Sequence, residues 1–199
     1  MQCAAFLDLQ RKRFRMKRSG DGIEQRRVSN ARALAAFGAK ITERGERIRT
    51  IREGTGVAIY TIGYERRDGE TLMSILQDQG IKTLADVRER PVSRKPDFRA
   101  AALKALCDEV GIEYQAWPFL GSTVEQREEL QSSGDFEAFS RKFRAHAERT
   151  MAAYLDWLAE AVKKMPTALL CYERLHEDCH RSVIADLVAS RIDASIIAL

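Results

Sequence analysis

Val57-Ala58-Ile59-Tyr60-Thr61-Ile62, stopped by Gly63, is a β-branched and aromatic run, and Glu70 to Gln79 behind it carries Leu72, Ile75 and Leu76 at helical spacing until Gly80 ends it. A short strand followed by an amphipathic helix is one βα unit, and the pattern recurs down the chain. Thr83 to Val87 reads as the second strand, Asp97 as the N-cap of a helix through Val110, and Ile112 to Trp117 as the third strand. A long connection from Pro118 to Gly134 holds a short helix around Val124 to Leu130. Asp135 opens one long or broken helix through Lys164, striped by Phe136, Phe139, Phe143, Tyr154, Leu155, Leu158 and Val162. Thr167 to Cys171 is the fourth strand, Ser182 to Ser190 a helix, and Ile192 to Leu199 the last strand. This alternation predicts an α/β domain over residues 57–199: a three-layer, open, mostly parallel sheet with helices on both faces.

Upstream of this body the chain changes character. Residues 1–56 carry 14 Lys and Arg against 6 Asp and Glu, so the net +4 of the 199-residue chain comes from a basic N-terminal extension ahead of a mildly acidic body. Its densest run, Arg11-Lys12-Arg13-Phe14-Arg15-Met16-Lys17-Arg18, has the charge to contact nucleic-acid phosphates or an anionic membrane surface. The same composition suits a solvated, disordered extension or a leader arising from a start assigned too far upstream, and the three readings stay open. With 45% apolar and 31% charged residues, no repeat and no long apolar stretch, the chain reads as a globular protein without a membrane span. Cys3, Cys107, Cys171 and Cys179, with no apolar leader, read as thiols of a cytoplasmic protein.

In open parallel sheets ligands bind beyond the carboxyl ends of the strands. Three polar loops leave those ends: Gly63 to Arg67, Arg88 to Arg94, and Glu173 to Arg181. Arg88 and Arg94 are expected to face one pocket, their planar guanidiniums suited to phosphate or carboxylate, with Ser93 adding a hydroxyl. The densest constellation is Cys171-Tyr172-Glu173-Arg174-Leu175-His176-Glu177-Asp178-Cys179-His180-Arg181-Ser182, which joins a strand to a helix N-terminus. Such a terminus favours anions and thiolates. Glu173 is a candidate base, His180 a candidate acid or base, and Cys171 or Cys179 a candidate nucleophile. A zinc reading with Cys171, His176, Cys179 and His180 as ligands competes, but adjacent Cys-His pairs rarely share one ion, so no metal and no cofactor are expected. A thiolate loop that cradles an oxyanion also competes, although nine residues separate Cys171 from Arg181, too many for a tight cradle.

Thr61-Ile62-Gly63-Tyr64-Glu65, Asp86-Val87-Arg88 with Pro91 and Ser93-Arg94, Gly111-Ile112 with Tyr114, Leu120-Gly121, and Cys171-x-Glu173 with Cys179-His180-Arg181 together resemble the domain of unknown function 488 family over residues 57–199. The resemblance implies an intracellular α/β domain, mostly bacterial and archaeal, whose activity has no settled assignment. Its motif positions here are Tyr64, Arg88, Ser93, Arg94, Cys171, Glu173, Cys179, His180 and Arg181, whereas His176 falls in a variable part. Asp86-Val87-Arg88-Glu89 is also faintly similar to a rhodanese strand end.

The leading expectation is therefore an enzyme acting on a phosphate-bearing small molecule or nucleic acid. Tyr64, Arg88, Ser93, Arg94 and Arg181 would bind the substrate, and Glu173, Cys171, Cys179 and His180 would act on it. A non-catalytic nucleic-acid-binding module and a thiol or sulfur-handling protein are the alternatives. Oligomeric state leaves no mark in the sequence.

Overall fold

The computed structural model describes residues 48–199, so the Arg11–Arg18 run lies outside the described residues. The elements are β1 (Arg49–Arg52), β2 (Ala58–Gly63), α1 (Gly69–Asp78), β3 (Thr83–Asp86), α2 (Ala100–Glu109), β4 (Glu113–Ala116), α3 (Val124–Ser133), α4 (Phe136–Thr150), α5 (Ala152–Lys164), β5 (Thr167–Cys171), α6 (His180–Ile192) and β6 (Ser195–Ala198). They build one six-stranded sheet in the order β1-β6-β2-β5-β3-β4. Every pairing is parallel except β1 with β6.

Strand order and crossover hand together explain the three layers. The chain steps outward from β2 to β3 to β4, then returns to β5 and finally β6 on the far side of β2. Crossovers between parallel strands keep one hand, so the outward and return helices must lie on opposite faces. On one face Leu72, Ile75 and Leu76 of α1 and Leu103 of α2 bury against Ile62, Leu84, Leu170 and Ile197. On the other, Phe139 and Phe143 of α4, Leu155 and Leu158 of α5, and Val183 and Ile184 of α6 cover Ile59, Ala85, Leu169 and Ile196. The predicted α/β architecture is the observed one.

Three details differ from the sequence reading, and the helix break at Met151 decides between two alternatives it left open. The sheet begins before Val57: Arg49–Arg52 pairs antiparallel with β6, and Ile48 just ahead of it is buried. Asp97 does not cap α2; it lies in a 3-10 turn, Pro96–Phe98, where its carboxylate accepts from the Gly69 N–H at the start of α1 at 3.2 Å, and α2 starts at Ala100. The long helix breaks at Met151, where Thr150 Oγ1 donates back to the His146 carbonyl at 2.8 Å, a bond that competes with the helix ladder. Finally, α6 starts at His180 rather than Ser182 and runs to Ile192, so β6 starts only at Ser195, after Asp193 turns the chain at φ 48°.

Candidate functional site

The loops after β2, β3 and β5 do meet at the carboxyl edge, because those strands are neighbours in the sheet. Two glycines let them close. A Cβ on Gly63 would sit 1.8 Å from the Glu173 carbonyl oxygen, and one on Gly121 would sit 2.1 Å from the Glu89 nitrogen. The ladder continues past the strand ends, with the Tyr64 N–H donating to the Cys171 carbonyl at 3.2 Å and the Glu65 N–H to that of Tyr172 at 2.8 Å.

Apart from Ser93 and Arg94, the predicted site residues gather into two groups, one on each face of the sheet. Strand side chains alternate, and Asp86 follows the parity of Leu84 toward α1 and α2, whereas Cys171 follows Leu169 toward α6.

The first group is Arg88, Asp86 and Tyr64. Arg88 is buried and donates from Nε to Asp86 Oδ1 at 2.8 Å, from Nη2 to Asp86 Oδ2 at 2.6 Å, and from Nη1 to Tyr64 Oη at 3.0 Å and the Phe98 carbonyl at 2.9 Å. Burial opposes its charge, and the carboxylate of Asp86 more than offsets that and fixes the guanidinium as a cation. Tyr64 stacks on Phe98 with centroids 4.3 Å apart, and Tyr114 Oη donates to Asp86 Oδ2 at 2.7 Å. Arg94 does not share this pocket with Arg88; it lies exposed on the surface. Ser93 turns inward on its own loop, its Oγ accepting from the Lys95 N–H at 3.1 Å.

The second group is Cys171, Glu173, Cys179, His180 and Arg181. Cys179 is the N-cap of α6 and makes no side-chain capping bond, so His180 and Arg181 open the helix beside it. His180 Nδ1 lies 3.7 Å from Cys171 Sγ and 3.8 Å from Cys179 Sγ, and its Nε2 is 3.0 Å from the Val87 carbonyl oxygen. A carbonyl only accepts, so Nε2 carries a proton and Nδ1 is the nitrogen that faces the sulfurs. Phe143 closes the outer side, edge-on to the His180 ring at 5.5 Å.

Arg181, 1% exposed, reaches back under the loop from Nη1 to the Glu173 carbonyl at 2.5 Å and from Nη2 to that of Arg174 at 3.1 Å. Among the described residues, two buried side-chain polar atoms have no hydrogen-bond partner, Glu173 Oε2 and Arg181 Nε.

These neighbours set the protonation of the cluster. Burial opposes ionisation of Cys179, but the bond from Cys171 and the positive side of His180 and Arg181 outweigh it and hold this thiol well below the ordinary range. Donation to Cys179, together with burial, pushes Cys171 well above that range. Burial and the adjacent Cys179 charge push Glu173 up to about 7. Burial works against a charged His180, and Cys179 more than compensates, so the imidazole is raised.

His176 stands apart from the sulfurs. Its Nδ1 is 2.9 Å from Thr61 Oγ1, and the competing four-ligand zinc set does not assemble among the described residues. The other three members do: the ligand atoms of Cys171, Cys179 and His180 all lie within 4.8 Å of one another. The adjacency of Cys179 and His180 is no obstacle, because the backbone leaves extended geometry at the N-cap and turns both side chains to one point.

Sequence reasoning missed Val87, whose carbonyl orients His180, and Arg49, whose Nη2 holds both Glu177 oxygens at 3.0 and 2.8 Å and so ties the 172–178 loop to β1. The Asp86-Val87 strand end was visible, but a backbone acceptor has no residue signature.

The sequence model of the family described as Domain of unknown function DUF488 matches residues 68–188. The chain belongs to this family. No curated protein and no solved structure matches it. The DUF488 match contains Arg88, Ser93, Arg94 and the whole Cys171–Arg181 cluster, while Tyr64 falls just ahead of it. Among the described residues of this DUF488 protein, no helix is long and apolar enough to cross a membrane.

Proposed function

We propose that this DUF488 chain handles thiols, with Cys171 and Cys179 working as a dithiol that is oxidised and reduced as a pair and His180 as the group that takes and returns a proton. The observation that carries this reading is the approach of both sulfurs to one imidazole nitrogen, at 3.7 and 3.8 Å. A thiol beside an imidazole lone pair can give up its proton, and the thiolate is the form that attacks a disulfide. The co-reactant is a disulfide oxidant. One protein thiolate attacks a sulfur of that oxidant and expels its other sulfur as a thiolate. The second protein thiolate then attacks the mixed disulfide, closes the Cys171–Cys179 bond and releases the remaining half. Two protein thiols lose two electrons and two protons, and the oxidant leaves as two thiols.

A phosphate-bearing substrate or nucleic acid has less support at this edge, since Arg88 and Arg181 spend donors on Asp86, Tyr64 and backbone carbonyls, which leaves exposed Arg94.

The test is oxidation of the reduced, folded chain with diamide, followed by mass-spectrometric mapping. The expected product is an intramolecular Cys171–Cys179 disulfide, lost in Cys171→Ser and Cys179→Ser and slowed in His180→Gln, while Cys107 stays reduced in the opposite core. Oxidation of Cys107 at the same rate, or failure of the folded chain to form the Cys171–Cys179 bond, would remove the reading.

A further inference from the structure

The distances within the cluster are long for thiol–imidazole hydrogen bonds and suit another arrangement. In a tetrahedral zinc site with Zn–S about 2.3 Å and Zn–N about 2.05 Å, a sulfur and a nitrogen ligand stand about 3.6 Å apart. Cys171 Sγ and Cys179 Sγ stand 3.7 and 3.8 Å from His180 Nδ1. Both sulfurs therefore lie close to where a shared ion would hold them.

Three further observations bear on the same point. His180 presents Nδ1 because Nε2 donates to the Val87 carbonyl at 3.0 Å, the backbone bond that commonly fixes a metal-binding imidazole. Glu173 Oε2 is buried, has no hydrogen-bond partner, and belongs to a carboxylate that lies beside Cys179. An orphaned buried acceptor calls for a missing partner, and a water held by a cation in the fourth position would be a donor for it. The cationic Arg181, buried in the first turn of α6 beside the cluster, offsets part of the negative charge that two thiolates and a carboxylate would bring.

We propose that Cys171 Sγ, Cys179 Sγ and His180 Nδ1 form a three-ligand binding site for a zinc-class divalent cation. Two thiolates with one imidazole select a borderline-soft ion over magnesium or calcium, which take oxygen ligands. Three protein ligands leave the fourth tetrahedral position to a water or a substrate group. The inference rests on the thiol reading, because the ligands are the reduced dithiol. It adds that the cation holds both sulfurs and that forming the disulfide expels it.

The experiment uses the reduced full chain with Co2+ as optical probe and Zn2+ as competitor. The expected result is one equivalent of Co2+ with thiolate-to-cobalt charge-transfer absorption in the near ultraviolet and the intense visible bands of a tetrahedral site, displaced by one equivalent of Zn2+. Cys171→Ser, Cys179→Ser and His180→Gln should each weaken binding by more than the roughly 10- to 100-fold that an outer-shell change costs. Glu173→Gln should keep the thiolate-to-cobalt bands and weaken binding by no more than the roughly 10- to 100-fold of an outer-shell change, and Cys107→Ser should bind like the parent chain. Zn2+-loaded protein should resist diamide at Cys171 and Cys179.

Absence of saturable Co2+ binding to the folded parent chain overturns the metal site, and so do charge-transfer bands that persist in the Cys171→Ser, Cys179→Ser double variant. If Co2+ fails to bind while diamide still closes the Cys171–Cys179 bond, the metal inference falls and the dithiol reading stands. The parent-chain titration decides this even if a variant misfolds.

Discussion

Arg88 and Asp86, two positions apart at the end of β3, close a two-point ion pair inside the protein, with Nη2 2.6 Å from Oδ2 and Nε 2.8 Å from Oδ1. The pair is buried on both sides and shares its remaining capacity with Tyr64, Tyr114 and the Phe98 carbonyl. Such a network stabilises only while it is complete, because removing one member leaves the other charge without water or partner. Arg88→Ala should therefore destabilise the fold by roughly 3–5 kcal/mol. Arg88→Lys should recover little, since an ammonium lacks the planar fork. Urea unfolding checks both, and a loss below about 1 kcal/mol for the alanine variant would place the pair among weak surface bridges instead.

Gly63→Ala should cost at least about 3 kcal/mol, the upper end of what an overfilled core typically costs. The new methyl meets backbone, the Glu173 carbonyl oxygen at 1.8 Å, and backbone on a sheet edge has little room to yield. Because that carbonyl also accepts from Arg181, the displacement would spread to the loop above the sulfurs. The measurement is the thermal midpoint together with the Cys171–Cys179 disulfide yield; a variant unchanged in both would show that the loop is not held down on β2.

The parallel body was legible because each buried strand is a short apolar run and each helix a 3.6-residue stripe, signals that are local. β1 was not, because Arg49-Thr50-Ile51-Arg52 is an edge strand with two arginines in four residues and its burial alternates between exposed and half-buried. An edge strand needs no hydrophobic run. The site was half legible. Cys171, Cys179, His180 and Glu173 stand close in sequence, and the structure brings them together. The division of the arginines between two faces depended on register: Asp86 lies beside Leu170, so Cys171 at the next position points the other way. Register between strands distant in the chain is a tertiary fact. The same holds for His176, whose partner Thr61 is 115 positions away.

The register of β1 leads to a truncation test. A chain starting at Ile48 keeps the strand that covers the outer edge of β6 and the Arg49–Glu177 pair, whereas one starting at Val57 loses both. The Val57 start should lower the thermal midpoint and increase self-association, because β6 becomes an unpaired edge with a buried Ile48 contact gone. Arg49→Ala alone should cost no more than about 1 kcal/mol, as the pair is solvent-exposed. Equal midpoints for the two truncations would mean that β1 adds nothing to the fold.

His176 supplies a pH test whose sign can be worked out in advance. Burial, followed by the charge of Arg181, lowers its pKa from 6.5 to about 4; Asp186, Cys179 and Glu177 act the other way and do not compensate. Its Nδ1 meets only the neutral Thr61 hydroxyl at 2.9 Å, so nothing there rewards a positive ring. The folded chain thus keeps this imidazole neutral where the unfolded chain would protonate it. Between pH 6.5 and 4 the unfolded state binds more protons at this position, so the contribution is fully present above pH 6.5 and is lost as pH falls toward 4. The full swing is roughly 3 kcal/mol. His176→Asn places an amide near the Nδ1 position and removes the titration, so it should flatten the acid limb of stability against pH while changing stability little above pH 7. Other groups titrate in the same window, Glu173 with the opposite sign, and for that reason the difference between parent and variant is the quantity to measure. Parallel acid limbs in the two proteins would mean that His176 is already protonated in the fold, and the loop over the sulfurs would then have to open for it to be so.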